Sequence, residues 1–244
     1  MIKYEFPLNE KIRKFLRIEE LFQKSDHQLK SNYKFHEHNT FELIFNLMAT
    51  ASRSDLKVEL LQELERQNIK ILQKRKTQAN EKLIKQIDVI KNRLEKNHLQ
   101  PGYFFGDDRL IQEIKSRSDS PYGILSVDFP YFKFWLENEK EAVRKVYFKK
   151  RLEPFQVIKD AINIILLLLR QDLSLETVRT NKGFFQIKLN PISKNDLVIV
   201  ALNAGSRIIP DISSNKYAIN IQFSDTKHRK IDKEIKFKFG TSAF

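Results

Sequence analysis

Two contrasting textures in one chain predict an α+β protein. Through about residue 120 apolar residues recur at i, i+3, i+4 and i+7, the period of helices that bury one face. After Asp172 that period stops, and short alternating or apolar runs are punctuated by Asn, Gly, Ser and Pro, as antiparallel strands require. A third stretch, Ile124 to Leu136, is dense in aromatic and β-branched residues and reads as a strand bent at Pro130. The expected organisation is an N-terminal, mainly helical domain with a long helical hairpin, plus an antiparallel β-sheet or sandwich domain. The helical domain is placed at residues 7–120, with helices in 138–172 packing on it. The β-domain is discontinuous: residues 121–137 and 173–244, with a strand at 2–6.

In order, Ile2 to Phe6 alternates apolar and charged residues as a half-exposed strand does. The first helix is expected from Asn9 to Leu29: Asn9 stands where an N-cap belongs, and Glu10 suits the positive end of the helix dipole. Leu8, Ile12, Phe15, Leu16, Ile18 and Phe22 form its core face, with Arg13, Arg17 and Lys24 stacked in a stripe beside it. Glu19 falls inside the apolar arc, either as a buried acceptor or as a base with a raised pKa. His36-Glu37-His38 is the only histidine cluster, and without a third ligand it reads as a solvated loop.

Thr40 to Ala51 is a mostly buried helix. Ser54 to about Lys76 and a return helix from near Asn80, carrying Leu83, Ile87, Ile90 and Leu94, make an antiparallel hairpin of the kind that packs internally or dimerises. A turn at Pro101-Gly102 precedes a helix capped within Asp107-Asp108-Arg109. Pro121-Tyr122-Gly123 turns the chain into the aromatic stretch. Glu139 to Leu152 is helix with a basic cluster at Arg144, Lys145, Lys149, Lys150 and Arg151. Phe155 to Asp172 holds the run Ile164 to Leu169, too short to span a bilayer and so a core or dimer-interface helix. Strands are expected at Glu176–Thr180, Phe184–Leu189, Leu197–Leu202, Tyr217–Phe223 and Ile231–Phe239.

The 244 residues carry 44 Lys and Arg against 31 Asp and Glu, a formal +13 that calls for an anionic partner. With no cysteine, disulfides, thiolate nucleophiles and Cys-ligated zinc are excluded. Six glycines leave no phosphate loop or dinucleotide fingerprint, and no nucleophile elbow, paired-histidine zinc motif or calcium loop occurs. The start of the chain, with Lys3, Glu5, Glu10 and Lys11, lacks a signal pattern, so a cytoplasmic home is expected. A binding protein that is not an enzyme, with no catalytic residues, metal or cofactor, is the simplest reading. A nucleic-acid binder using the basic, Phe-rich surface is the alternative, although no helix-turn-helix, RNP-type or zinc module is present.

The residues themselves resemble one family. Phe6-Pro7-Leu8-Asn9-Glu10-Lys11-Ile12-Arg13 with Leu16-Arg17-Ile18-Glu19 is similar to the opening motif of the ZapD family of bacterial cell-division proteins. Glu59-Leu60-Leu61 with Glu63-Leu64, Arg66-Gln67, Asp108-Arg109-Leu110-Ile111, the Ser126, Asp128, Pro130 and Trp135-Leu136 positions, and Leu169-Arg170-Gln171 fit in the same order. The resemblance implies a non-enzymatic accessory factor at the midcell division ring. It implies a homodimer that binds the C-terminal tail of FtsZ through a basic cleft and so crosslinks and bundles FtsZ filaments. Cleft positions implied for this sequence are Arg17, Arg109 and Lys133, where relatives can have His, with Arg13, Arg53 and Lys216 as further basic positions. Cofactors, membrane and nucleic acid are not expected as partners. The cleft is expected where the helical and β-domains meet, because Arg17, Arg109 and Lys133 come from three separate segments.

Overall fold

The computed structural model describes residues 1–30, 36–51, 54–74, 77–96, 105–116, 124–190 and 195–243. The expected turns at 101–102 and 121–123, and Arg53, lie outside them. The α+β class holds, with helices filling the first two thirds and antiparallel sheets the last. The chain divides into two compact units: Arg17–Ile165, and Met1–Leu16 with Leu166–Phe244. No helix among the described residues is long and apolar enough to cross a membrane.

In the helical unit, helix α1 runs Glu10–Lys30 and begins in the β unit. Asn9 is its cap, its side-chain oxygen accepting from the Ile12 amide at 2.9 Å. Ile12, Phe15, Ile18 and Phe22 are buried as the period requires, and Glu19 is half-buried and partnered. Helix α2, His36–Ala51, corrects one expectation: His36 and Glu37 are not a solvated loop but its buried first turn. The reason is Arg144, whose Nε donates to Glu37 Oε1 at 2.7 Å and makes burial of that carboxylate tolerable.

Helices α3, Ser54–Gln73, and α4, Gln78–Lys96, form the hairpin. Thr77 caps α4 by accepting from the Asn80 amide. Lys57 Nζ donates to the Glu95 carbonyl at 3.0 Å and Lys91 pairs with Glu65, contacts that fix an antiparallel register. Ile87, Ile90 and Leu94 are buried, while Val58, Ile69, Leu72 and Val89 remain exposed.

Helix α5 spans Arg109–Lys115. The second correction follows it. Ile124 to Leu136 is not a strand of the β-domain: a 3-10 turn at Ser126–Asp128 leads into helix α6, Pro130–Asn138, and described residues 124–137 belong to the helical unit. Pro130 opens the helix, where its fixed φ and missing N–H cost nothing. Phe132 and Trp135 at i and i+3 then bury one face. Helix α7 is Glu141–Leu152 and helix α8 is Gln156–Gln171. Phe41 of α2 makes edge contacts with Phe132 and Phe148 at centroid distances of 5.4 and 4.9 Å, and Trp135 meets Tyr147 at 5.3 Å. This aromatic cluster locks α2, α6 and α7 together. The apolar run of α8 is core, apart from exposed Leu167.

The β unit is a sandwich. Strands β1 (Ile2–Pro7), β2 (Glu176–Arg179), β4 (Asn195–Leu202) and β7 (Lys236–Ala243) form a sheet of order β1-β4-β7-β2. Strands β3 (Phe184–Lys188), β5 (Ile208–Ser214) and β6 (Ala218–Asp225) form a second sheet of order β3-β6-β5. Val198, Val200 and Leu202 meet Ile219, Ile221, Phe223, Phe237 and Phe239 between them. Strand β5 was not foreseen, because Pro210 and Asp211 break its pattern, and an edge strand tolerates both. The last strand begins at Lys236 rather than Ile231. The N-terminal strand pairs with β4 as a sheet edge, and Arg170 holds Glu5 with Nε to Oε1 at 2.8 Å. Gly240 is needed where it stands, since an added Cβ would lie 2.7 Å from the Ser174 carbonyl oxygen.

Candidate partner-binding site

Asp108 is the residue from which this surface is built. Its side chain caps α5 by accepting from the Ile111 amide at 3.1 Å. The same carboxylate accepts from the Tyr147 hydroxyl at 2.9 Å and from Arg151 Nε at 2.7 Å, and the Arg151 guanidinium lies 4.3 Å from the Tyr147 ring centroid. Burial, and secondarily the Asp108 charge, push the Tyr147 phenol far above its ordinary value, so Tyr147 is a permanent donor here. One of the paired carboxylates at 107–108 is thus a structural cross-link from α5 to α7.

The consequence falls on the next residue. With Asp108 committed to α7, Arg109 is left exposed, its guanidinium 5.5 Å from the centroid of Tyr131 on α6. Tyr131 is 42% exposed, Phe134 61% and Val127 78%, an unusual density of open apolar surface within eight residues. At 100° per residue Phe134 lies between Tyr131 and Lys133 on the outer arc of α6, opposite buried Phe132 and Trp135. Lys133 is exposed too. One helix therefore presents aromatic surface flanked on one side by Arg109 and on the other by Lys133.

The other sequence-selected cations come from other elements. Arg17 is exposed on α1 within the helical unit. Arg13 and Lys216 belong to the β unit. Arg13 is paired with Glu10 at 3.1 Å and sits 5.8 Å from the Phe6 ring centroid. Lys216 is exposed in the β5–β6 turn beside Tyr217. The basic helix α7 is partly consumed: Arg144 serves Glu37 and Arg151 serves Asp108. Tyr131, Phe134 and Val127 are the residues that sequence reading missed as site candidates. Their signal was Asp128-Phe129-Pro130, a helix start that the aromatic density masked. Among the described residues no group of three or more potential metal ligands converges.

A family model for ZapD, described as a cell division protein, matches residues 16–222. Among similar proteins, one called cell division protein ZapD from Azoarcus sp. (strain BH72) is 32% identical over 98% of each chain. Those of the same name from Nitrosomonas eutropha and Chromobacterium violaceum are 33% identical over 98% of each chain and 30% identical over all of each, respectively.

Proposed function

The chain belongs to the ZapD family of cell division proteins, and from that premise we propose that it is a non-enzymatic factor of the midcell division ring that binds the C-terminal tail of FtsZ. Arg17, Arg109 and Lys133 are the cations that contact the tail. As a homodimer the protein crosslinks and bundles FtsZ filaments, because bundling needs two tail sites on one particle. The exposed stripe of Val58, Ile69 and Leu72 on α3, with Val89 on α4, is the apolar surface offered for pairing.

One observation carries the tail reading. Arg109 has its neighbouring carboxylate drawn off to Tyr147 and Arg151, and among the described residues no carboxylate pairs with it, so it stands as a cation beside exposed aromatic surface. A cation held there without an acid gains nothing in the free protein, whereas a segment carrying both carboxylates and apolar residues satisfies both halves at once. The test is co-pelleting with purified FtsZ and titration with its tail peptide. Arg17→Glu and Arg109→Glu are expected to abolish binding and bundling, a loss of roughly 2 to 5 kcal/mol, with the melting temperature nearly unchanged. Lys133→Glu is expected to weaken both less, Lys being a point charge without the guanidinium fork. Wild-type binding by both Arg variants would place the tail elsewhere.

A further inference from the structure

The strand topology gathers positive charge at one pole of the sandwich. Strand β1 begins at that pole with Lys3, and β4, its partner, ends there. Strand β2 ends there with Arg179, opposite Lys236 at the start of β7, and Lys238 follows. The β2–β3 turn adds Lys182, and Arg207 precedes β5 where β6 ends. The β6–β7 connection adds Lys227, Arg229, Lys230 and Lys233. It is tied to the β2–β3 turn: an added Cβ at Gly183 would lie 1.9 Å from the Ile231 carbonyl oxygen, and Thr180 N donates to the Ile235 carbonyl at 2.9 Å. All of these cations are exposed. The acids at the end of β6 and in the β6–β7 connection are Asp225, which holds Arg229, Glu234, which holds Arg179, and Asp232. Lys216 sits at the opposite pole, in the β5–β6 turn.

Ordinary edge protection does not account for this. Lysines guard the outer strands of many sheets, but Lys236 and Lys238 lie on β7, an interior strand. Lys236 directly faces Arg179 across the pair, a like-charge juxtaposition that costs stability. The edge strand β3 does the reverse of guarding and opens at this pole with Phe184, 43% exposed. Ile2 and Ile209, at the starts of β1 and β5, are exposed there as well.

We propose that this pole docks on an anionic phospholipid surface: the lysines meet the headgroup layer, and Phe184, Ile2 and Ile209 enter the boundary below it. Mobile point charges suit a laterally diffuse anionic layer better than bidentate readout of a fixed phosphate. Aliphatic tips suit acyl chains, whereas a nucleic-acid platform needs successive aromatic rings, and Phe184 stands alone among these tips. Docking of this kind needs no spanning helix and is independent of the tail reading.

The experiment is co-sedimentation of the full chain with vesicles of phosphatidylcholine alone, or with about a third phosphatidylglycerol. Binding is expected to the anionic vesicles only, at about 0.1 M salt, and to vanish at about 1 M as the Debye length shrinks. The triple variant Lys230→Ala, Lys233→Ala, Lys236→Ala should lose roughly a hundredfold in partitioning, about fivefold per charge. Phe184→Ser should lose several-fold, and Lys216→Ala at the opposite pole nothing. Circular dichroism and the melting temperature of each variant report whether the chain is still folded. The proposal is overturned if wild type ignores anionic vesicles, if Lys216→Ala loses as much as the triple variant, or if the chain binds a DNA oligonucleotide while leaving vesicles unbound.

Discussion

Helix α7 and the α5–α6 surface carry cations of the same kind and put them to opposite uses. On α7, Arg144 and Arg151 point inward and are met by Glu37 and Asp108, both nearly buried. On α5 and α6, Arg109 and Lys133 point outward beside open aromatic rings, and Arg109's neighbour Asp108 is spent on α7. Counting charge along the sequence makes α7 the more attractive anion site. A basic surface is thus located by where the carboxylates have gone, since a cation paired inside the fold serves structure and leaves less charge to attract a partner.

The largest effect is expected at Glu37. Glu37→Ala leaves the half-buried Arg144 guanidinium with only the Leu136 and Glu139 carbonyls as partners, and urea unfolding should show a loss of roughly 3 kcal/mol. Arg109→Ala, which removes a cation of the same type, should change stability by less than about 0.5 kcal/mol. Equal effects would erase the distinction between the two regions. Next in size is the apolar half of the proposed tail site. Phe134→Ser should weaken tail-peptide binding by about 1.5 to 3 kcal/mol, roughly tenfold to a hundredfold by calorimetry, with no change in unfolding. Unchanged affinity would leave the site purely electrostatic.

The smallest effect is in alkali. The folded state holds the Tyr147 proton more tightly than the unfolded chain does, because of burial and then Asp108. Its contribution is therefore fully present below about pH 10, the ordinary phenol value, and lost as pH rises beyond it. Tyr147→Phe should flatten that limb of the stability profile. An alkaline limb as steep as wild type would mean the Asp108 cross-link does not carry it.

Local chemistry determined much of this protein from sequence alone. Asn9 as a cap, the core face of α1, the hairpin, an Asp of the 107–108 pair as the cap of α5 and most strands follow from periods and capping rules that act within a few residues. The motifs of the first helix and of 108–111 also sufficed to point to the ZapD family, which the comparisons establish. What the sequence misread were stretches where a distant partner decides the outcome. Ile124 to Leu136 has the composition of a strand, yet Phe132 and Trp135 gain more by packing on Phe41, Tyr147 and Phe148 than by sheet pairing. His36 and Glu37 look solvated until Arg144, 107 residues away from Glu37, neutralises the carboxylate. The basic pole of the sandwich is likewise invisible in linear order, because strand register brings Lys3, Arg179 and Lys236 to one end. Short-range propensities are written in the chain, whereas burial of charge and direction of a side chain are set by whichever segment folds against it.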